Sequence, residues 1–285
     1  MKYKISNDAR PQAATLILAA IISVILWFVP FAEILSYPFR IFVTFIHEGG
    51  HAIAALLTGN SVQSLSVAMN GSGETYTTQG GMWPQMLVSS AGYLGAMTYG
   101  ALLLVLIRRA VAARVVLVAS AAVVFLLTMI FGVFKPLIAS SWTSLNGIPF
   151  TLMAGVTLTI GLWAVARFAS ARVASFLVSL LAVQCVLNAL LDLKTVFFLS
   201  SPFAATVPTD ALNMANATGV PALIWAAIWI TMSIGILVLA LRSYVAGRAR
   251  AFPPYSDMSL EGAAPVWPVT SLPAASDAIR QDKTA

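Results

Sequence analysis

Apolar residues fill most of this chain in blocks of about twenty, separated by short polar joints. The blocks fall near Ala13–Leu35, Phe39–Leu57, Gln85–Ile107, Ala113–Phe134, Ile148–Ala166, Val173–Leu199 and Val220–Leu241. A helix of that length crosses a hydrocarbon core of about 30 Å, so the pattern predicts about seven transmembrane helices. The first block is too long for the apolar region of a signal peptide and has no small-residue cleavage site after it, which predicts a retained span. The period changes in one place, the polar stretch from Thr58 to Trp83. There Val62, Leu65, Val67 and Met69 interleave with Ser and Gln, Asn70-Gly71-Ser72-Gly73 forms a turn, and Glu74–Thr78 follows as a second strand. The expected fold is therefore an all-α polytopic membrane protein with a small β-hairpin after its second helix.

Composition supports this reading. Of 285 residues, 59% are hydrophobic and only 9% charged, against about 25% charged in soluble domains. The formal net charge of +6 then concerns loops beside lipid headgroups, with membrane lipid and not nucleic acid as the partner. A single cysteine, Cys185, excludes an internal disulfide. One membrane domain is expected over residues 1–241, with its hairpin loop at about 60–82. After Arg242 the sequence turns to Pro, Ala, Ser and scattered charge, which predicts a disordered tail over 242–285.

The second block carries Phe45-Ile46-His47-Glu48-Gly49-Gly50-His51-Ala52. His47 and His51 stand four residues apart, so on a helix both imidazoles leave one face, one turn apart. Two such nitrogens can share one zinc ion, and Glu48 beside them can take a proton from water. The pattern is H-E-x-x-H. These two histidines are the only ones in the chain, and they lie within apolar sequence, where polar residues are costly and usually mark function.

A catalytic zinc site takes three protein ligands and leaves one position open. With no histidine left and Cys185 flanked by apolar residues, the third donor should be a carboxylate. Glu33, Glu48 and Asp192 are the acidic residues of the apolar segments. Asp192 is the favoured ligand and Asp210, in the following loop, the alternative. Asn188, one turn before Asp192, would support it by a hydrogen bond to the aspartate or to substrate backbone. The third block contains Ser89-Ser90-Ala91-Gly92-Tyr93-Leu94-Gly95, whose small residues suit close packing against the motif helix. The Gly49-Gly50 pair should serve the same close approach.

These stretches together resemble the site-2 protease family of intramembrane zinc metallopeptidases, in particular its compact bacterial branch. The resemblance is carried by FIHEGGHAIAALLTG (Phe45–Gly59), SSAGYLG (Ser89–Gly95), LNALLDL (Leu187–Leu193) and TDALNMANATGVPALIW (Thr209–Trp225). It implies zinc bound by His47, His51 and Asp192, Glu48 as the base, and a membrane-associated β-hairpin after the zinc helix. Gly92 falls in the family's small-residue stretch as a supporting position. The sequence departs from the family at Leu193, where glycine usually follows the aspartate, and in having no proline between Asn188 and Asp192.

The resemblance implies a multi-pass protein of the bacterial cytoplasmic membrane that hydrolyses a peptide bond of a transmembrane or membrane-proximal protein. The alternative is a membrane protein that keeps zinc for structure or metal handling, without proteolysis. With seven spans, Arg40, Arg108, Arg109, Arg114, Arg167, Arg172 and Arg242 share one side against Lys2, Lys4, Arg10 and Lys135 on the other, so the positive-inside rule makes the C-terminus cytoplasmic. The family's cytoplasmic hairpin implies the opposite orientation.

Overall fold

A computed structural model describes residues 10–29, 33–78, 80–109, 111–139, 145–201 and 207–245. The basic arm before Arg10 and the tail beyond 245, expected to be disordered, lie outside the described residues. The chain runs α1 (Arg10–Phe28), α2 (Glu33–Leu57), β1 (Val62–Val67), β2 (Gly73–Thr77), α3 (Met82–Arg108) and α4 (Ala113–Ala139). It continues through α5 (Ile148–Phe168), α6 (Ala171–Leu199), the short α7 (Asp210–Thr218) and α8 (Ala222–Val245).

Among the described residues, five helices are long and apolar enough to cross a membrane: α3, α4, α5, α6 and α8. The expected count of seven is not confirmed among these residues. The first block gives only the shorter apolar helix Ala13–Leu26, while α2 is diluted by Glu33, Arg40 and Glu48. Both blocks are helical, so the apolar pattern located the elements correctly.

Close packing of small residues sets the helix arrangement. A Cβ on Gly50 would collide with the carbonyl of Ala91 on α3, and one on Gly95 would meet the Gly50 backbone at 3.5 Å. The Ser-Ala-Gly stretch of α3 therefore lies against the motif helix, as its composition predicts. Further along α3, Gly100 packs against Cys185 of α6, which is buried. Cys185 thus fills a helix–helix contact. α4 changes to a π-helical segment over Leu127–Phe134. There Leu127 covers Gly49, and Gly132 faces Thr151 of α5.

The hairpin forms where the alternation places it. β1 and β2 pair antiparallel, with Leu65 opposite Thr75 and Val67 opposite Gly73, and an irregularity falls between Val62 and Ser64. Val62, Leu65 and Val67 are buried, and the Val67 amide donates to Thr151 Oγ1 at 2.9 Å. β1 is thereby fixed to the bundle. The turn is fixed to α2: Tyr37 Oη donates to Met69 O at 2.7 Å, Thr44 Oγ1 to Gly71 O at 2.8 Å, and the Arg40 guanidinium to Asn70 O. Gly71 has φ +84°, a left-handed conformation that glycine adopts without strain, and the Arg40 side chain fills the space a Cβ would need.

Candidate metal centre

Helix α2 projects His47 and His51 from one face, as the four-residue spacing requires. Their Nε2 atoms lie 3.0 Å apart. His51 Nδ1 lies 2.7 Å from the Val88 carbonyl of α3. A carbonyl can only accept, so Nδ1 carries the proton and Nε2 presents its lone pair to the site. Such a backbone contact orients an imidazole ligand and increases its basicity. His47 is positioned by an aromatic neighbour, the Tyr93 ring, which meets it edge-on with centroids 4.6 Å apart. Tyr93 in turn rests on Trp229 of α8, whose Nε1 donates to Ser90 Oγ at 3.0 Å.

The third polar atom of the cluster comes from Asp210. Its Oδ2 lies 3.4 Å from Nε2 of His47 and 3.4 Å from Nε2 of His51. The structure thus brings Asp210, the alternative ligand named from the sequence, to the two imidazoles. Asp192 lines the same cleft from α6 but is exposed, and it touches neither imidazole at ion-pair distance. Asn188, expected to support the aspartate, makes its hydrogen bonds within α6. Its Nδ2 donates to the Gln184 carbonyl and to Gln184 Oε1, at 2.8 and 3.0 Å, and Gln184 reaches Ser23 of α1. One turn of helix α6 thus separates a polar packing network from the cleft.

Asp210 is placed by the local sequence of α7. Thr209 caps the helix, its hydroxyl accepting from the Leu212 amide at 3.2 Å. An acidic residue in the first turn suits the helix dipole. Ala211 and Met214, three apart on one face, are buried in a cluster with Tyr93, Leu193, Val196 and Trp229, which seats α7 against α3, α6 and α8. Burial would raise the Asp210 carboxyl, but when the facing histidines carry protons their charge and hydrogen bonds outweigh it and hold the group well below the usual carboxylate range.

Glu48 is buried beside the pair. Its Oε2 accepts from Thr75 Oγ1 of β2 at 2.7 Å, while Gly73 lies so close to Oε1 that a Cβ there would come within 2.5 Å. Ligand atoms of His47, Glu48 and His51 all lie within 4.8 Å of one another. Gly92 fits the same picture. A Cβ on it would fall inside contact distance of both Nε2 atoms, so the space facing the two lone pairs is open only because residue 92 has no side chain.

The donor set fits a zinc ion. Two imidazole nitrogens and a carboxylate oxygen converge with their lone pairs inward, an arrangement that repels itself without a cation or proton between them. Atoms bound tetrahedrally at about 2.0–2.2 Å lie about 3.3–3.6 Å apart, close to the 3.0–3.4 Å edges of this triangle. The cleft around it has a volume of about 680 Å³ and is bounded by β2, α3, α6 and α7.

The profile of the Peptidase M50B-like family matches residues 16–240. The chain therefore belongs to this family, which is the site-2 protease family of membrane metallopeptidases. No curated protein and no solved structure matches the chain. In the sequence Asp210 stands second to Asp192 because it falls in a loop and not within an apolar block. The signal that could have promoted it was the Thr209–Trp225 stretch of the family resemblance. Thr75 and Tyr93 carried no signal of their own, since their roles depend on the hairpin folding back over α2 and on α3 packing beside it.

Proposed function

We propose that this chain is a zinc-dependent endopeptidase that cleaves a peptide bond within or near the bilayer, with His47, His51 and Asp210 as ligands. The observation that carries the reading is the triangle of His47 Nε2, His51 Nε2 and Asp210 Oδ2 with the Glu48 carboxylate beside it. Zinc held there would act as a Lewis acid on the scissile carbonyl and would lower the pKa of water towards about 7. Glu48 accepts the proton of the attacking water and delivers it to the leaving amine. Thr75 holds Glu48 Oε2 by a hydrogen bond, which fixes the carboxylate while the proton moves. His51 is kept in its ligand tautomer by Val88.

The hairpin supports an extended substrate. β2 pairs with β1 on one edge only and its residues line the cleft. Alternate N–H and C=O groups on the other edge are free to hydrogen-bond a peptide laid beside Glu48. Extension matters chemically, because a helical substrate hides its scissile carbonyl in an intrahelical bond.

The test pairs metal analysis with cleavage of transmembrane peptides by purified protein and its Glu48→Gln variant. The enzyme reading expects zinc in both and cleavage only by the first. Zinc in both, with no cleavage by either across a panel of membrane peptides, would favour the structural or metal-handling alternative.

A further inference from the structure

The two turns at the far end of α3 enclose a second cavity. It has a volume of about 830 Å³ and lies between α1, the α3–α4 turn and the start of α6. Its walls are largely apolar, with Leu18, Ile107, Val116 and Val178 among them, and Arg114 and Arg172 stand on its rim. Arg108 closes α3 and Ala113 opens α4, while Phe168 closes α5 and Ala171 opens α6. All four helices are long and apolar enough to span, so their joints mark the level of the lipid headgroups. At a rise of about 1.5 Å per residue, this end of α3 lies about 24 Å from Gly92, well removed from the metal centre.

Charge at this end is one-sided. Arg108, Arg109, Arg114, Arg167 and Arg172 occupy the two turns, and the sequence has no Asp or Glu between Glu74 and Asp192. Arg114 is held over the cavity by a hydrogen bond from Nη2 to the Ala169 carbonyl at 3.0 Å, which ties one turn to the other. Arg167 instead covers the Phe168 ring. A slot with apolar walls below and two guanidinium groups at headgroup depth matches one chemistry, a phosphodiester carrying acyl chains.

The geometry points to this cavity as a binding site for an anionic phospholipid, its phosphate between Arg114 and Arg172 and an acyl chain against Leu18, Ile107 and Val178. Charge complementarity favours it over a zwitterionic lipid, because the quaternary ammonium of the latter would meet arginines with no carboxylate among the described residues that line the cavity. The length of an acyl chain and the apolar walls favour it over a free phosphate.

The experiment is native mass spectrometry of the full chain in detergent, titrated separately with dioleoyl phosphatidylglycerol and dioleoyl phosphatidylcholine. The expected result is a phosphatidylglycerol adduct at about tenfold lower lipid concentration than the phosphatidylcholine adduct. In Arg114→Gln/Arg172→Gln the two lipids should bind alike, whereas Arg114→Lys/Arg172→Lys and the control Lys135→Gln should keep the preference. Equal binding of the two lipids by the unaltered chain would overturn the proposal, as would a preference undiminished in the Gln pair. Loss of the preference on adding glycerol phosphate at equal concentration would show a headgroup anion site and overturn the lipid assignment. Should the Gln pair fail to fold, each single Gln variant is expected to weaken the preference, and two singles that both retain it in full would refute the site.

Discussion

Thr75 of the hairpin and Glu48 of the motif helix are joined by a hydrogen bond of 2.7 Å from hydroxyl to carboxylate. The bond links the element that would grip a substrate to the group that would move its proton. Hydrogen bonds to a charged group contribute about 1.5–3 kcal/mol. Thr75→Val should therefore lower kcat by roughly tenfold or more while zinc content stays unchanged, and Thr75→Ser should restore most of the rate. A valine variant at full activity would show that the hairpin does not position the base.

Metal binding and proton transfer should separate at neighbouring residues. His47→Ala or His51→Ala is expected to abolish stoichiometric zinc, because the remaining ligands cannot offset dehydration of the ion. Glu48→Gln should keep zinc and lose at least ~10²-fold in peptidase activity. Elemental analysis and peptide cleavage on the same preparations read both, and zinc retained at full occupancy by a histidine variant would contradict the centre.

The two aspartates should differ sharply. Asp210→Ala is expected to weaken zinc by more than ~10²-fold, since it removes a ligand and not merely an outer-shell contact. Asp192→Asn should leave zinc stoichiometric, because it is Asp210 that lies at ion-pair distance from both imidazoles. The opposite pattern in a zinc competition titration would restore Asp192 as the ligand.

Gly92→Ala adds a single methyl against both Nε2 atoms. The variant is expected to insert and fold, as judged by circular dichroism and gel filtration, yet to contain background zinc only. Normal zinc content in Gly92→Ala would mean that the imidazoles approach the ion from another side.

Much of this was legible in the sequence because the governing signals are local. His47, Glu48 and His51 are placed on one helical turn by spacing alone, and the Val62–Thr78 hairpin follows from alternation around an Asn-Gly turn. The Gly50–Ala91 contact was anticipated by small residues on both helices. The choice between Asp192 and Asp210 was not local. It depends on how α7 seats Ala211 and Met214 beneath Trp229, a packing event between segments far apart in the chain. Its position inside an apolar block made Asp192 look functional, and it does line the cleft, but the contact with the imidazoles is made by Asp210. Length and apolarity mark a helix well, but α2 spends part of its apolar face on the charged residues it needs.

The contact between Gly50 and the Ala91 carbonyl leaves no slack between α2 and α3. Sliding one helix along the other would drive backbone into backbone, so the two act as a fixed frame. Any door into the cleft must hang on the lighter parts, the two-stranded hairpin and the nine-residue α7. Asp210 rides on α7, so opening that door would also withdraw the proposed third ligand, and admission of substrate and grip on the metal would become competing demands. Hydrogen–deuterium exchange should therefore be faster in β2 and α7 than in His47–Gly59, and zinc should slow it most in α7. Uniform protection across all three would mean that the frame moves as well.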